Sequence, residues 1–235
     1  MRAIRFSFLH MIRFLRQDMM LLAALLSTPL MGIAIRFGIP AMERLLEKIT
    51  GRPQLLAPYY GLFDIFFSSI VPVIFCFISA MVMLEERDDH IDRYLFITGL
   101  GKRGYYISRI VIPAFGALAV TVILLPIFEL TDLSFLEIFF LALAGTLQGI
   151  IIALMVISLS SNKLEGMAIT KLSSLLMLGA LGPYLMPAPL YFILFFMPSF
   201  WTGMAIYEKN CLFMLPSLIA AGIWIFVHEK LIAPD

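Results

Sequence analysis

Five carboxylates crowd one short stretch of this sequence: Glu85, Glu86, Asp88, Asp89 and Asp92. Carboxylates at such spacing serve as general acid and base, or hold a divalent cation. Arg87 and Arg93 are interleaved with them, which equally describes a solvated helix laced with its own ion pairs. A third reading is a docking helix presenting Tyr94, Leu95, Phe96 and Ile97 to a soluble partner, since apolar residues at the tip of a charged loop are natural interface anchors. The other reactive residue types do not assemble. His10, His90 and His228 have no close spacing, and Ser160-Ser161 and Ser173-Ser174 lack a partnered base. Cys76 and Cys211 are far apart, which argues against a disulfide or metal framework. Gly99-Leu100-Gly101-Lys102-Arg103-Gly104 has G-x-G-x-x-G spacing, but a dinucleotide turn needs a preceding strand and a βαβ unit, and here an apolar run follows. No G-x-x-x-x-G-K-[ST] occurs, so the chain does not hydrolyse nucleotide through a P-loop. We assign no catalytic residue and no metal ligand.

The elements that must carry these residues are greasy. Of 235 residues 61% are hydrophobic and 14% charged, against about 45–50% and about 25% in a soluble domain. The excess lies in long blocks, and about 18 or more nearly uncharged residues read as a transmembrane helix. Six spans follow: Met19 to Ile39, Leu62 to Leu84, Ile107 to Phe128, Phe135 to Leu159, Met167 to Leu185 and Leu212 to Val227. Continuous runs favour a helical bundle over a barrel of alternating strands. No hydrophilic block is long enough for a soluble domain, so residues 1–235 form a single membrane domain. The first run has no small-x-small cleavage site after it and is read as an uncleaved span. With both termini inside, 12 of the 17 Lys and Arg residues are inner, and Arg36, Arg44, Lys48, Arg52 and Lys209 are outer. This satisfies the positive-inside rule.

Three segments depart from plain spans. In residues 1–18, Arg2, Arg5, Arg13 and Arg16 share an arc beside Ile4, Phe8, Met11, Ile12 and Leu15, the pattern of an amphipathic interfacial helix; the alternative is a basic flank that only orients the first span. Met42 to Leu56 reads as a short outer helix ended by Gly51-Arg52-Pro53. Residues 183–210 hold Pro183, Pro187, Pro189 and Pro198 in aromatic sequence and read as broken, re-entrant outer helices, with a seventh span from Leu190 to Tyr207 as the alternative. Gly145 and Gly149 form a G-x-x-x-G helix-packing motif. Between them Gln148, near mid-membrane, calls for a hydrogen-bond partner from another helix or a cavity. Arg36 and Asp64, near the outer ends of the first two spans, are expected to pair.

The run from Met83 to Ile110 resembles the inner loop of the permease subunits of type-2 ABC exporters. Glu85 takes the position of the acidic residue that closes the second span, and Asp92 to Ile97 that of the coupling helix. Thr98-Gly99-Leu100 stands where T-P-L is common, with glycine for proline, and Arg109 where lysine is frequent. Pro198-Ser199-Phe200-Trp201 is similar to the outer re-entrant region of small permeases of the drug-export type. The resemblance implies a half-transporter in the cell membrane with both termini cytoplasmic. A second permease chain, identical or homologous, would pair with it mainly through the first and fifth spans. Two copies of a separate ABC ATPase would bind ATP and Mg, no cofactor belonging to this chain. Residues 85–106 would be the cytoplasmic coupling loop, with Glu85, Glu86, Arg87, Asp92, Tyr94, Leu95 and Phe96 transmitting force.

The expected fold is therefore all-α and polytopic. The expected function is export of a hydrophobic or amphipathic substrate (drug-like, lipid or peptide) across the lipid bilayer, with no nucleic-acid partner. The alternatives are a membrane-embedded lipid-modifying enzyme that uses the acidic cluster, an ion-coupled secondary transporter, which would want buried mid-membrane carboxylates, and a membrane scaffold.

Overall fold

The computed structural model describes residues 7–9, 11, 13, 19–187 and 190–232. Among them there is no strand, as expected where a bilayer forces each segment to satisfy its own backbone. Six helical stretches of the described residues are long and apolar enough to cross a membrane: Leu21–Thr50, Ala57–Asp88, Gly101–Phe128, Phe135–Leu159, Lys163–Leu185 and Cys211–Lys230. The all-α, six-span reading holds. Most of the expected amphipathic helix over residues 1–18 lies outside the described residues. Within it, Met11 is buried in the core and Phe8 packs against it.

Two of the six stretches run further than their apolar runs suggest. The first comprises α1 (Met19–Ile33), a π-turn (Ala34–Gly38) and α2 (Ile39–Thr50). The helix expected as a separate outer element is thus the continuation of the first span. It ends at Gly51, whose φ of 66° suits glycine. The second span is α3 (Tyr60–Asp88), followed by the short α4 (Ile91–Ile97). The third stretch comprises α5 (Gly101–Tyr106), a π-turn (Ile107–Val111) and α6 (Ile112–Phe128). The π-turns end at Gly38 and Val111, just ahead of Pro40 and Pro113. A proline has no N–H for the carbonyl four residues back and its ring crowds that carbonyl; a locally wider turn accommodates the misfit without ending the helix. The carbonyls concerned belong to Arg36 and Arg109, and each arginine organises one end of the bundle.

At the centre α3 packs on α7 (Phe135–Leu159), which starts with a capping box between Ser134 and Glu137. Pro72 leaves the Ser68 carbonyl of α3 without its helical donor, and the backbone of Gly145 lies directly on that carbonyl. A Cβ at Gly145 would collide with Ser68 O, and one at Gly149 would stand 2.8 Å from Pro72 O and 3.1 Å from Cys76 Sγ. Gln148 is buried, yet neither its Nε2 nor its Oε1 has a partner, so the expected hydrogen bond is not formed.

The fifth stretch starts as α8 (Lys163–Ser173), tightens into a 3-10 helix (Ser174–Leu181) and ends in α9 (Gly182–Leu185). After a further 3-10 turn (Tyr191–Leu194) comes α10 (Pro198–Tyr207), and α11 (Met214–Ile232) closes the bundle. Ten residues reach about 15 Å, so α10 is a broken helix and no seventh span exists there. Side chains serve the carbonyls that these breaks free: Trp201 Nε1 donates to Phe195 O (2.8 Å), Trp224 Nε1 to Phe196 O (2.9 Å) and Ser217 Oγ to Pro198 O (3.0 Å).

Candidate functional site

The acidic stretch is the last turn of α3, where four consecutive charged side chains point to different neighbours. Glu86 is buried, and Arg109 of the second π-turn, 1% exposed, meets it through two nitrogens. Arg109 Nε donates to Glu86 Oε2 (3.0 Å) and Nη2 to Glu86 Oε1. The Tyr105 hydroxyl donates to the same Oε2 at 2.8 Å. The remaining arm, Nη1, donates to Ser7 O (2.8 Å) and Ser7 Oγ (3.1 Å). A buried carboxylate is tolerable only with such a cation and hydrogen bonds, and Arg supplies both in a planar fork.

The other charges bolt α3 to the α7–α8 connection. Arg87 Nη1 donates to Ile157 O (3.1 Å) and Ser160 O (3.0 Å), at the end of α7 where carbonyls lack helical donors. Glu85 Oε2 lies 2.6 Å from Lys163 Nζ, and Asp88 Oδ2 accepts the Lys163 N–H at 3.1 Å. The cluster is therefore a set of contacts between elements, not the self-paired helix surface that its sequence also allowed. Among the described residues no group of three or more His, Cys, Asp and Glu is placed to hold a metal ion.

His90, in the left-handed region at φ 59°, turns the chain from α3 into α4. Asp92 Oδ1 accepts the Arg93 N–H at 2.8 Å. The four apolar residues expected to face a partner divide. Leu95 and Phe96 pack back onto the bundle, Phe96 edge-on to Tyr105 with centroids 5.2 Å apart. Tyr94 and Ile97 face outward at 69% and 84% exposure, with Ile91 in line one turn earlier. The cause is geometric: on seven helical residues, adjacent positions cannot share a face. Between the root of α4 and the bundle lies a cavity of about 240 Å³, lined by Ser7, Glu85, Glu86, Asp89, Ile91, Leu95 and Arg109.

At the opposite end the expected Arg36–Asp64 pair is replaced by backbone contacts. Buried Asp64 accepts the N–H groups of Leu130 (2.8 Å) and Thr131 (2.9 Å) and the Thr131 hydroxyl, while Arg36 donates to Glu129 O. Both side chains hold the α6–α7 loop, whose backbone groups have no helix to serve them. Burial, helped by nearby Asp64 and Asp132, raises the Glu129 carboxyl above the usual glutamate range, against a Leu133 backbone hydrogen bond and Arg36.

Sequence reasoning missed Ser7, Tyr105 and Lys163. Lys163 counts in the sequence only as one of the inner basic residues, Tyr105 meets Glu86 across 19 residues and Ser7 meets Arg109 across 102, and no local pattern announces such pairings. A family model described as "Fluoroquinolones export permease protein Rv2686c-like" matches residues 11–228. No curated protein and no solved structure matches the chain.

Proposed function

Because this chain belongs to the Rv2686c-like family of fluoroquinolone export permeases, we propose that it is the membrane half of an ATP-driven exporter whose motor is a separate ABC ATPase. It is a multi-pass membrane permease, a transporter and not an enzyme. In the proposed complex this chain pairs with a second permease chain, identical or homologous, and the two bind two ATPase copies that carry ATP and Mg. The α4 end faces the cytoplasm, as do both termini, and the membrane is the cell membrane. The substrate is a hydrophobic or amphipathic drug-like molecule, of which the fluoroquinolones in the family's name are an instance.

The observation that carries this reading is α4. Its outward stripe of Ile91, Tyr94 and Ile97 is apolar, polar-flanked by Asp92 and Arg93, and backed by Leu95 and Phe96, which pack against the bundle. A short helix of this kind fits a groove on a soluble partner, and it stands on the charged last turn of one of the two most buried spans. Closure of the two ATPases around ATP would move the α4 helices and tilt the spans behind them.

The test is transport in proteoliposomes holding the chain and its cognate ATPase. Tyr94→Asp combined with Ile97→Asp should cut ATP-driven drug export at least tenfold and release the ATPase, since apolar anchors are worth about 2 kcal/mol or more each. Insertion and thermal stability should be unchanged, because both side chains are exposed. Full transport by the double variant, or export by wild type that runs without ATP, would overturn the reading.

A further inference from the structure

Arg109 touches three separate pieces of the chain at once. It sits on the π-turn of the third stretch, grips Glu86 at the end of α3 through Nε and Nη2, and reaches Ser7 of the N-terminal segment through Nη1. Ser108 next to it closes the same junction, its Oγ 3.2 Å from Ser7 Oγ. The guanidinium is almost wholly removed from water, so Glu86 cannot leave without stranding a charge, and the loss of Ser7 would leave a buried donor unpaired. The junction therefore moves as one body. The cavity lies between this body and α4, with Ile91 and Leu95 on one wall and Arg109, Glu86 and Ser7 on the other. It gives α4 room to travel towards Arg109.

We propose that Arg109 is the positioning residue that divides the motor's stroke between the second span, the third span and the N-terminal segment, with the cavity beneath α4 as the space the stroke closes. Three observations converge on it: the two-sided grip of one guanidinium, the π-turn that carries it, and the cavity walled by the same residues. A π-turn is a local departure from the helical ladder of the kind that recurs at functional sites. In the proposal a push delivered to Arg109 passes through this turn into α6. The proposal rests on the ATPase-driven reading above.

The experiment measures drug moved per ATP hydrolysed, in proteoliposomes of the full permease with its cognate ATPase. Replacing the pair by Glu86→Met with Arg109→Met keeps the volume apolar and the core packed. This variant should still bind the ATPase and hydrolyse ATP within twofold of wild type, while export falls at least tenfold, so the ratio drops. A second variant, Asp89→Trp, fills the cavity from its exposed rim without entering the core, and should lower the ratio in the same way. An unchanged ratio in both variants, including one where export and hydrolysis fall in parallel, overturns the proposal and leaves the exporter reading standing. Wild type that exports no drug on ATP addition removes the exporter reading itself, and this proposal with it.

Discussion

Taking a carboxylate out of water costs several kcal/mol unless a cation and hydrogen bonds replace the solvent, and at Glu86 they come from Arg109 and Tyr105. Truncating one partner leaves the other charge buried and alone. Glu86→Ala is expected to lower stability by about 3–5 kcal/mol, and the double Met replacement by far less; thermal unfolding in detergent measures both, and equal losses would contradict the pair's isolation from water. The bridge of Glu85 to Lys163 is partly solvated, and Glu85→Ala should cost no more than about 1 kcal/mol. Glu129 provides a pH signature. Its folded carboxyl titrates above the ordinary value, so the fold favours the protonated form. That contribution is complete below the ordinary glutamate range of about 4.3 and is lost as pH rises through the raised value. Glu129→Gln mimics the protonated state. Its melting temperature relative to wild type should therefore be near level at about pH 4 and move upward towards pH 7; a difference that does not change with pH would refute the assignment.

Helices meet in this protein where a side chain is missing. Gly145 and Gly149 let α7 lie on the Ser68 and Pro72 carbonyls of α3, and close backbone approach is the main way helices associate where lipid competes for every apolar contact. Gly116 of α6 has nothing within 4 Å of an added Cβ. Gly145→Ala should thus destabilise by about 1–3 kcal/mol through overpacking, whereas Gly116→Ala should be neutral or mildly stabilising through helix propensity. Unfolding measured on the two variants side by side decides it, and equal effects would mean that propensity outweighs packing. The glycine spacing was legible in the sequence; its partner was not, because the receptive surface on α3 is a carbonyl freed by Pro72, a feature of backbone and not of residue type. The π-turns were likewise invisible as such, although Pro40 and Pro113 mark where each had to fall.

At the scale of the molecule the proposed orientation has a direct test in the native cysteines. Cys76 is buried and Cys211 exposed, at the end opposite α4. A membrane-impermeant maleimide applied to intact cells should label wild type at Cys211. Tyr94→Cys placed in a Cys211→Ser background, in cells that lack the partner ATPase, should label only after the cells are opened. The reverse pattern would put α4 outside, where no cytoplasmic motor can reach it. Charge asymmetry alone argues for the first outcome, since translocation of basic loops is disfavoured.

The amino-acid order alone carried the all-α class, the six spans, the broken proline-rich segment and the position of α4, because each follows from local hydropathy, chain length and backbone donors. The three-dimensional packing settled who meets whom. Glu86 and Arg109 are 23 residues apart, Ser7 comes from a different segment again, and Arg36 and Asp64 turned to backbone groups in place of each other. Such partners are chosen by which desolvated charges and unpaired carbonyls the folded bundle brings within hydrogen-bond reach, a property of the assembled helices that no window along the chain contains.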